Sequence, residues 1–79
     1  MQLALADAGT GAIVRLERIS EEVELDMDAL AYLDGHRFTP GSTATVASRA
    51  PDGTLVLDVD GATVALGPAL ARRLYVAPA

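Results

Sequence analysis

The sequence predicts a mainly β fold: one small, partly open barrel of about five strands, with a short helix after the first strand and a helical turn before the last. Three observations predict it. Apolar and polar residues alternate at period two through most of the apolar runs. Pro-Gly, Pro-Asp-Gly and Asp-Gly turns punctuate those runs. The 79 residues include no cysteine, which leaves room for one domain, 1–79, held by packing alone. Five short strands cannot make two full sheets, and a sheet that curls on itself exposes the least edge. Surface scaling expects roughly 4,500 Å² folded against about 12,000 Å² unfolded, enough burial for one modest core.

The first strand is expected over 12–19 (AIVRLERI), where Val14 and Leu16 share a face and Arg15 and Glu17 occupy the other. Before it, Gly9-Thr10-Gly11 reads as a turn. A helix is expected over 26–34 (DMDALAYLD), with Asp26 or Asp28 as N-cap and Gly35 ending it. Met27, Leu30 and Leu33 or Ala31 would form its apolar face. His36 follows in an exposed loop. Pro40-Gly41 then opens a three-stranded meander over 43–66: TATVAS at 43–48, TLVLDV at 54–59 and ATVAL at 62–66. Asp60-Gly61 joins the last two, a dipeptide suited to a tight hairpin turn whose central positions both need positive φ. Residues 68–72 (PALAR) suit a single helical turn, with proline at its start and arginine at its end. A last strand, LYV, covers 74–76.

Charge and chemistry narrow the function. The net charge is −5 and all six cations are arginine, so nucleic-acid contact by this domain alone is not expected. Residues 17–28 hold six acids (Glu17, Glu21, Glu22, Glu24, Asp26 and Asp28) against one arginine, while the rest of the chain is balanced. No apolar run is long enough to span a membrane, and the N-terminus lacks the basic and apolar regions of a signal peptide. A cytoplasmic protein without membrane contact is expected. With one histidine, no cysteine and no serine in an elbow motif, the chain offers no basis for nucleophilic catalysis. Its glycines never gather into a phosphate-binding loop. The expected role is binding or regulation, and the protein is not read as an enzyme. The acidic run 21–26 gathers hard oxygen ligands of the kind Mn²⁺, Fe²⁺, Mg²⁺ and Ca²⁺ prefer. On composition the favoured reading is a solvated acidic turn leading into a helix, whose start favours negative charge. Three aromatics, Tyr32, Phe38 and Tyr75, are too scattered for a stacking platform.

The ordered combination of LDGHRFTPG at 33–41, V-x-x-R-x-x-D-G at 46–53 and L-x-x-x-L-A-x-x-L-Y-V at 66–76 resembles a known domain. It is similar to the SH3-like (FeoA-type) C-terminal domain of the diphtheria-toxin-repressor family of metal-dependent regulators, from about Leu3 to Val76. The resemblance implies a cytoplasmic regulator in which DNA-binding and dimerisation domains precede the barrel and Fe²⁺ or Mn²⁺ activates repression. In the iron-responsive members a Glu-x-x-Gln pair just after the first strand donates ancillary metal ligands, and other domains complete the site. The matching run here is 19–24 (ISEEVE). Glu21 keeps the glutamate and Glu24 replaces the glutamine, which makes the half-site harder and more negative. Three-residue spacing on a regular strand would point the two apart, so they converge only in a turn, a bulge or a helix start. The resemblance also implies intramolecular partners: the preceding domains and, in some members, a Pro-rich linker, for which Tyr32, Phe38 or Tyr75 would line a groove.

Two other readings remain. A free-standing FeoA-type accessory protein of a ferrous-iron transporter fits the length, but that family typically carries an Arg-rich helix after the first strand, and 26–34 has no cation. A protein-interaction barrel unconnected with metal is the third.

Overall fold

The computed structural model describes residues 2–79, which fold into six antiparallel strands in one open sheet, ordered β1-β6-β2-β3-β4-β5. In chain order these are β1 (Leu3–Ala4), a 3₁₀ turn (Leu5–Asp7), β2 (Ile13–Ile19), α1 (Glu21–Glu24), α2 (Met27–Gly35), β3 (Thr43–Arg49), β4 (Leu55–Val59), β5 (Ala62–Leu66), α3 (Pro68–Ala71) and β6 (Leu74–Pro78).

The strands follow from the alternation. Val14 and Leu16 on β2, Ala44 and Val46 on β3, Leu55, Leu57 and Val59 on β4, and Val64 and Leu66 on β5 all point into one core. Leu5, Val23, Leu33, Phe38, Leu74 and Val76 complete it from the turns, helices and β6. The buried set among the described residues contains no polar or charged side chain. Apolar packing therefore holds the domain, each fully buried large side chain contributing about 1.5–3 kcal/mol. Register shifts between Leu16 and Arg18 and between Val46 and Ser48 mark bulges, which increase local twist and let a single sheet curl around its core. The folded surface is 4535 Å², matching the size expectation.

The β4–β5 hairpin closes as its sequence requires. Val59 pairs with Ala62 across Asp60 (φ 57°) and Gly61 (φ 85°), and the Gly61 N–H donates to Asp58 Oδ1 at 2.9 Å. Helix α2 starts where expected, with Asp26 Oδ1 accepting from the N–H groups of Asp28 and Ala29, both at 3.1 Å. Its end differs from expectation. Gly35 is still helical, and Arg37, at φ 60°, takes the left-handed position. The Phe38 N–H then donates to Leu33 O (2.9 Å) and the Arg37 N–H to Asp34 O (3.0 Å). This is a Schellman closure, and its usual apolar contact is supplied by the buried Leu33 and Phe38.

Four further expectations are corrected. There are six strands rather than five, because residues 3–4 pair with β6 (Leu3 with Val76, Ala4 with Tyr75). β6 runs on to Pro78 and lies between β1 and β2. Met27 is 74% exposed, so the inner face of α2 is Ala29, Leu30 and Leu33. His36 is half-buried rather than loose, its ring 4.4 Å from that of Tyr32 at a tilt of 57°.

Candidate functional site

The acidic run forms a helical turn of its own. After β2, Ser20 stays extended (φ −65°, ψ 155°) while its carbonyl accepts from the N–H groups of Val23 and Glu24, both at 3.1 Å. Glutamate is a good helix former, and acids at a helix start meet the positive end of the backbone dipoles. Val23 is the one buried side chain of α1 and anchors it to the core. The Asp26 N–H closes the turn on Val23 O at 2.9 Å, and the Asp26 carboxylate then caps α2.

This geometry brings Glu21 and Glu24 together on one face, because residues three apart on a helix are neighbours. Both are exposed. Glu22 is engaged differently, with its Oε2 lying 2.8 Å from Arg73 Nε. The Ser20 N–H donates to Arg73 O at 2.9 Å, so Arg73 holds both the start and the side of α1 against the corner between α3 and β6. Neither Glu21 nor Glu24 enters an ion pair among the described residues. No group of three or more His, Cys, Asp or Glu side chains among the described residues is arranged to hold a metal ion. Two hard carboxylates would by themselves supply only part of a coordination shell for Mn²⁺, Fe²⁺ or Mg²⁺.

The aromatics divide. Phe38 is fully buried and lines no groove. Tyr32 is 41% exposed, and its hydroxyl is committed to Ala65 O at 2.7 Å. Tyr75, half-buried on β6, carries the Arg18 guanidinium 4.6 Å above its ring. Sequence reasoning missed a groove of about 190 Å³ beside α1, lined by Val23, Ala29, Ala69 and Leu70 with Glu22, Asp26 and Arg73 at its polar edge. It also missed two neighbours of Asp26, Leu25 and Met27, 79% and 74% exposed. The available signal was Leu25 interrupting an acidic run where no core strand could use it. A larger groove of about 280 Å³ lies elsewhere, between Arg37 and Asp60. No helix among the described residues is long and apolar enough to cross a membrane.

Against known proteins, residues 3–78 match the family described as the FeoA domain. No curated protein matches the chain. Among solved structures, an iron uptake regulatory protein, FeoA, is 29% identical with a TM-score of 0.79, over 96% of this chain and 94% of its own. A manganese-dependent transcriptional repressor is 26% identical with a TM-score of 0.81, over 99% of this chain and 42% of its own. The chain thus spans about two fifths of that repressor's length. The FeoA protein from Chlorobium tepidum shares the fold, with a TM-score of 0.83 at 16% identity, over 96% of this chain and 70% of its own.

Proposed function

The chain belongs to the FeoA domain family, and on that premise we propose that it is the C-terminal regulatory domain of a metal-dependent transcriptional repressor, with Glu21 and Glu24 as ancillary ligands for Mn²⁺ or Fe²⁺. The observation that carries this reading is the pairing on one face of α1 of two exposed carboxylates, neither in an ion pair among the described residues, while Glu22 pairs with Arg73. The 26% identity to a manganese-dependent repressor along 99% of this chain supports it.

The residues fit a half-site and no more. A divalent cation would supply the positive charge that lets two carboxylates face oxygen or nitrogen donors from another domain without repulsion. The chain's own contribution is positional. Val23 anchors the turn, Arg73 fixes its side and its start, and the i, i+3 spacing aims the two carboxylates outward together. The preceding domains of the same polypeptide provide the remaining ligands, so metal binding and inter-domain docking become one event. The role is non-catalytic and its place is the cytoplasm. The test is Glu21→Gln with Glu24→Gln in the full polypeptide: repression should need more metal, and an unchanged metal response would count against the site.

A second reading has its own observation. The chain spans 94% of an iron uptake FeoA protein at 29% identity, which favours a free-standing FeoA-type accessory protein docked on the cytosolic part of a ferrous-iron transporter. Against it, α2 carries no cation over Met27–Gly35. An antibody to this domain, used on lysate of the source cell, separates the two. A band at more than twice 8.2 kDa indicates a repressor, and one near 8.2 kDa indicates the accessory protein.

A further inference from the structure

We propose that the α1–α2 junction and the groove between it and α3 form a docking surface for a basic amphipathic helix of a partner protein. The first observation is apolar exposure. Four large hydrophobic side chains are exposed among the described residues, and the two most exposed, Leu25 (79%) and Met27 (74%), flank Asp26. Tyr32 has a local reason for its position, its hydroxyl bond to Ala65; Leu25 and Met27 have none. The second is the adjoining groove. Its volume of about 190 Å³ and its floor of Val23, Ala29 and Leu70 suit one inserted leucine- or methionine-sized side chain.

Charge then selects the occupant. The whole net charge of the protein lies within residues 17–28, and Glu21, Glu24 and Asp28 are exposed around the apolar pair, beside Asp26, whose Oδ1 caps α2, and Glu22, which pairs with Arg73 at the groove's edge. Lysine and arginine beside an apolar stripe would meet these carboxylates, strengthening the encounter and fixing its register. A second copy of this chain would bring the same negative face, and an anionic lipid surface would be repelled. A helix suits the site because residues three and four apart present an apolar stripe with basic flanks. This surface does not depend on metal.

The test titrates the 79-residue chain with a panel of basic amphipathic helical peptides differing in leucine position, in buffer containing EDTA. Shift changes in NMR spectra should centre on residues 22–29 and 69–73. Scrambled peptides of equal charge, and acidic peptides with the same apolar stripe, should bind at least about tenfold more weakly. Leu25→Ser with Met27→Ser should weaken binding by about a hundredfold, since each apolar side chain buried at an interface is worth about tenfold. Both side chains are exposed, so the melting temperature should hold. Equal binding of the scrambled peptides, shifts centred elsewhere, no binding by any member of the panel, or shift changes on dilution alone (which would mark a second copy as the occupant) would each overturn the proposal. Chelator keeps the outcome separate from the Glu21–Glu24 reading, which concerns metal.

Discussion

The hydroxyl of Tyr32, on α2, donates to the carbonyl of Ala65, on the edge strand β5, at 2.7 Å. A helix side chain thereby covers part of the edge that a free strand would offer to another chain. Removing the bond with Tyr32→Phe leaves the ring in place and should cost about 0.5–1.5 kcal/mol. That corresponds to a fall in melting temperature of about 4–8 °C per kcal/mol for a domain of this size. Amide exchange should quicken at β5 and not at β2. Unchanged stability would mean that water replaces the phenol without loss.

Arg37 occupies the left-handed position that ends α2, at φ 60°, where glycine carries no steric penalty. Arg37→Gly should raise stability by up to about 1 kcal/mol. Urea denaturation is the check. A loss of stability would reveal an interaction of the guanidinium that outweighs its backbone cost.

The two helix starts should respond oppositely. Asp26 accepts from two backbone N–H groups, so Asp26→Ala should cost about 0.5–2 kcal/mol. Ser20 precedes α1 but its hydroxyl caps nothing, and its Oγ is buried without a partner. Ser20→Ala should therefore be neutral or mildly stabilising. Equal losses from both substitutions, measured by thermal unfolding, would contradict this division.

Asp52 adds a dependence on pH. The Thr54 backbone N–H, 2.9 Å from Asp52 Oδ1, holds the carboxyl below its ordinary value. Glu17 is lowered likewise by its hydrogen bond from Arg15. A lowered native value means the unfolded chain binds the proton more readily. The stabilisation is therefore full above the ordinary carboxylate range, about pH 4–5, and is lost as pH falls through the native values. Urea midpoints should drop as pH falls below about 5, and less steeply in Asp52→Asn, which keeps an acceptor and loses the charge.

Legibility in the sequence followed the range of the interactions. The β4–β5 hairpin was readable because its determinants, Asp60 and Gly61, are adjacent and both take the positive φ that their types tolerate. Asp26 as N-cap was readable for the same local reason. β1 was not, since two residues carry no period and become a strand only against Val76 and Tyr75, more than seventy positions away. Met27 sits at an apolar spacing on α2, but the core is already filled by Ala29, Leu30 and Leu33, so tertiary packing decided its outward face. At the candidate site, the spacing of Glu21 and Glu24 required a non-strand backbone, and a helical turn is what the chain adopts there. The role of Glu22 depended on Arg73, fifty-one positions later, and lay outside local pattern.

The most direct test of the metal reading is a titration of the chain with Mn²⁺, followed by paramagnetic broadening of its amide signals. A half-site of two carboxylates predicts broadening centred on residues 20–25 and weak binding, with Kd on the order of 0.1–1 mM. Glu21→Gln with Glu24→Gln should abolish it without lowering the melting temperature. Broadening centred elsewhere, tight nanomolar binding by this chain alone, or an unchanged pattern in the double variant would contradict the account.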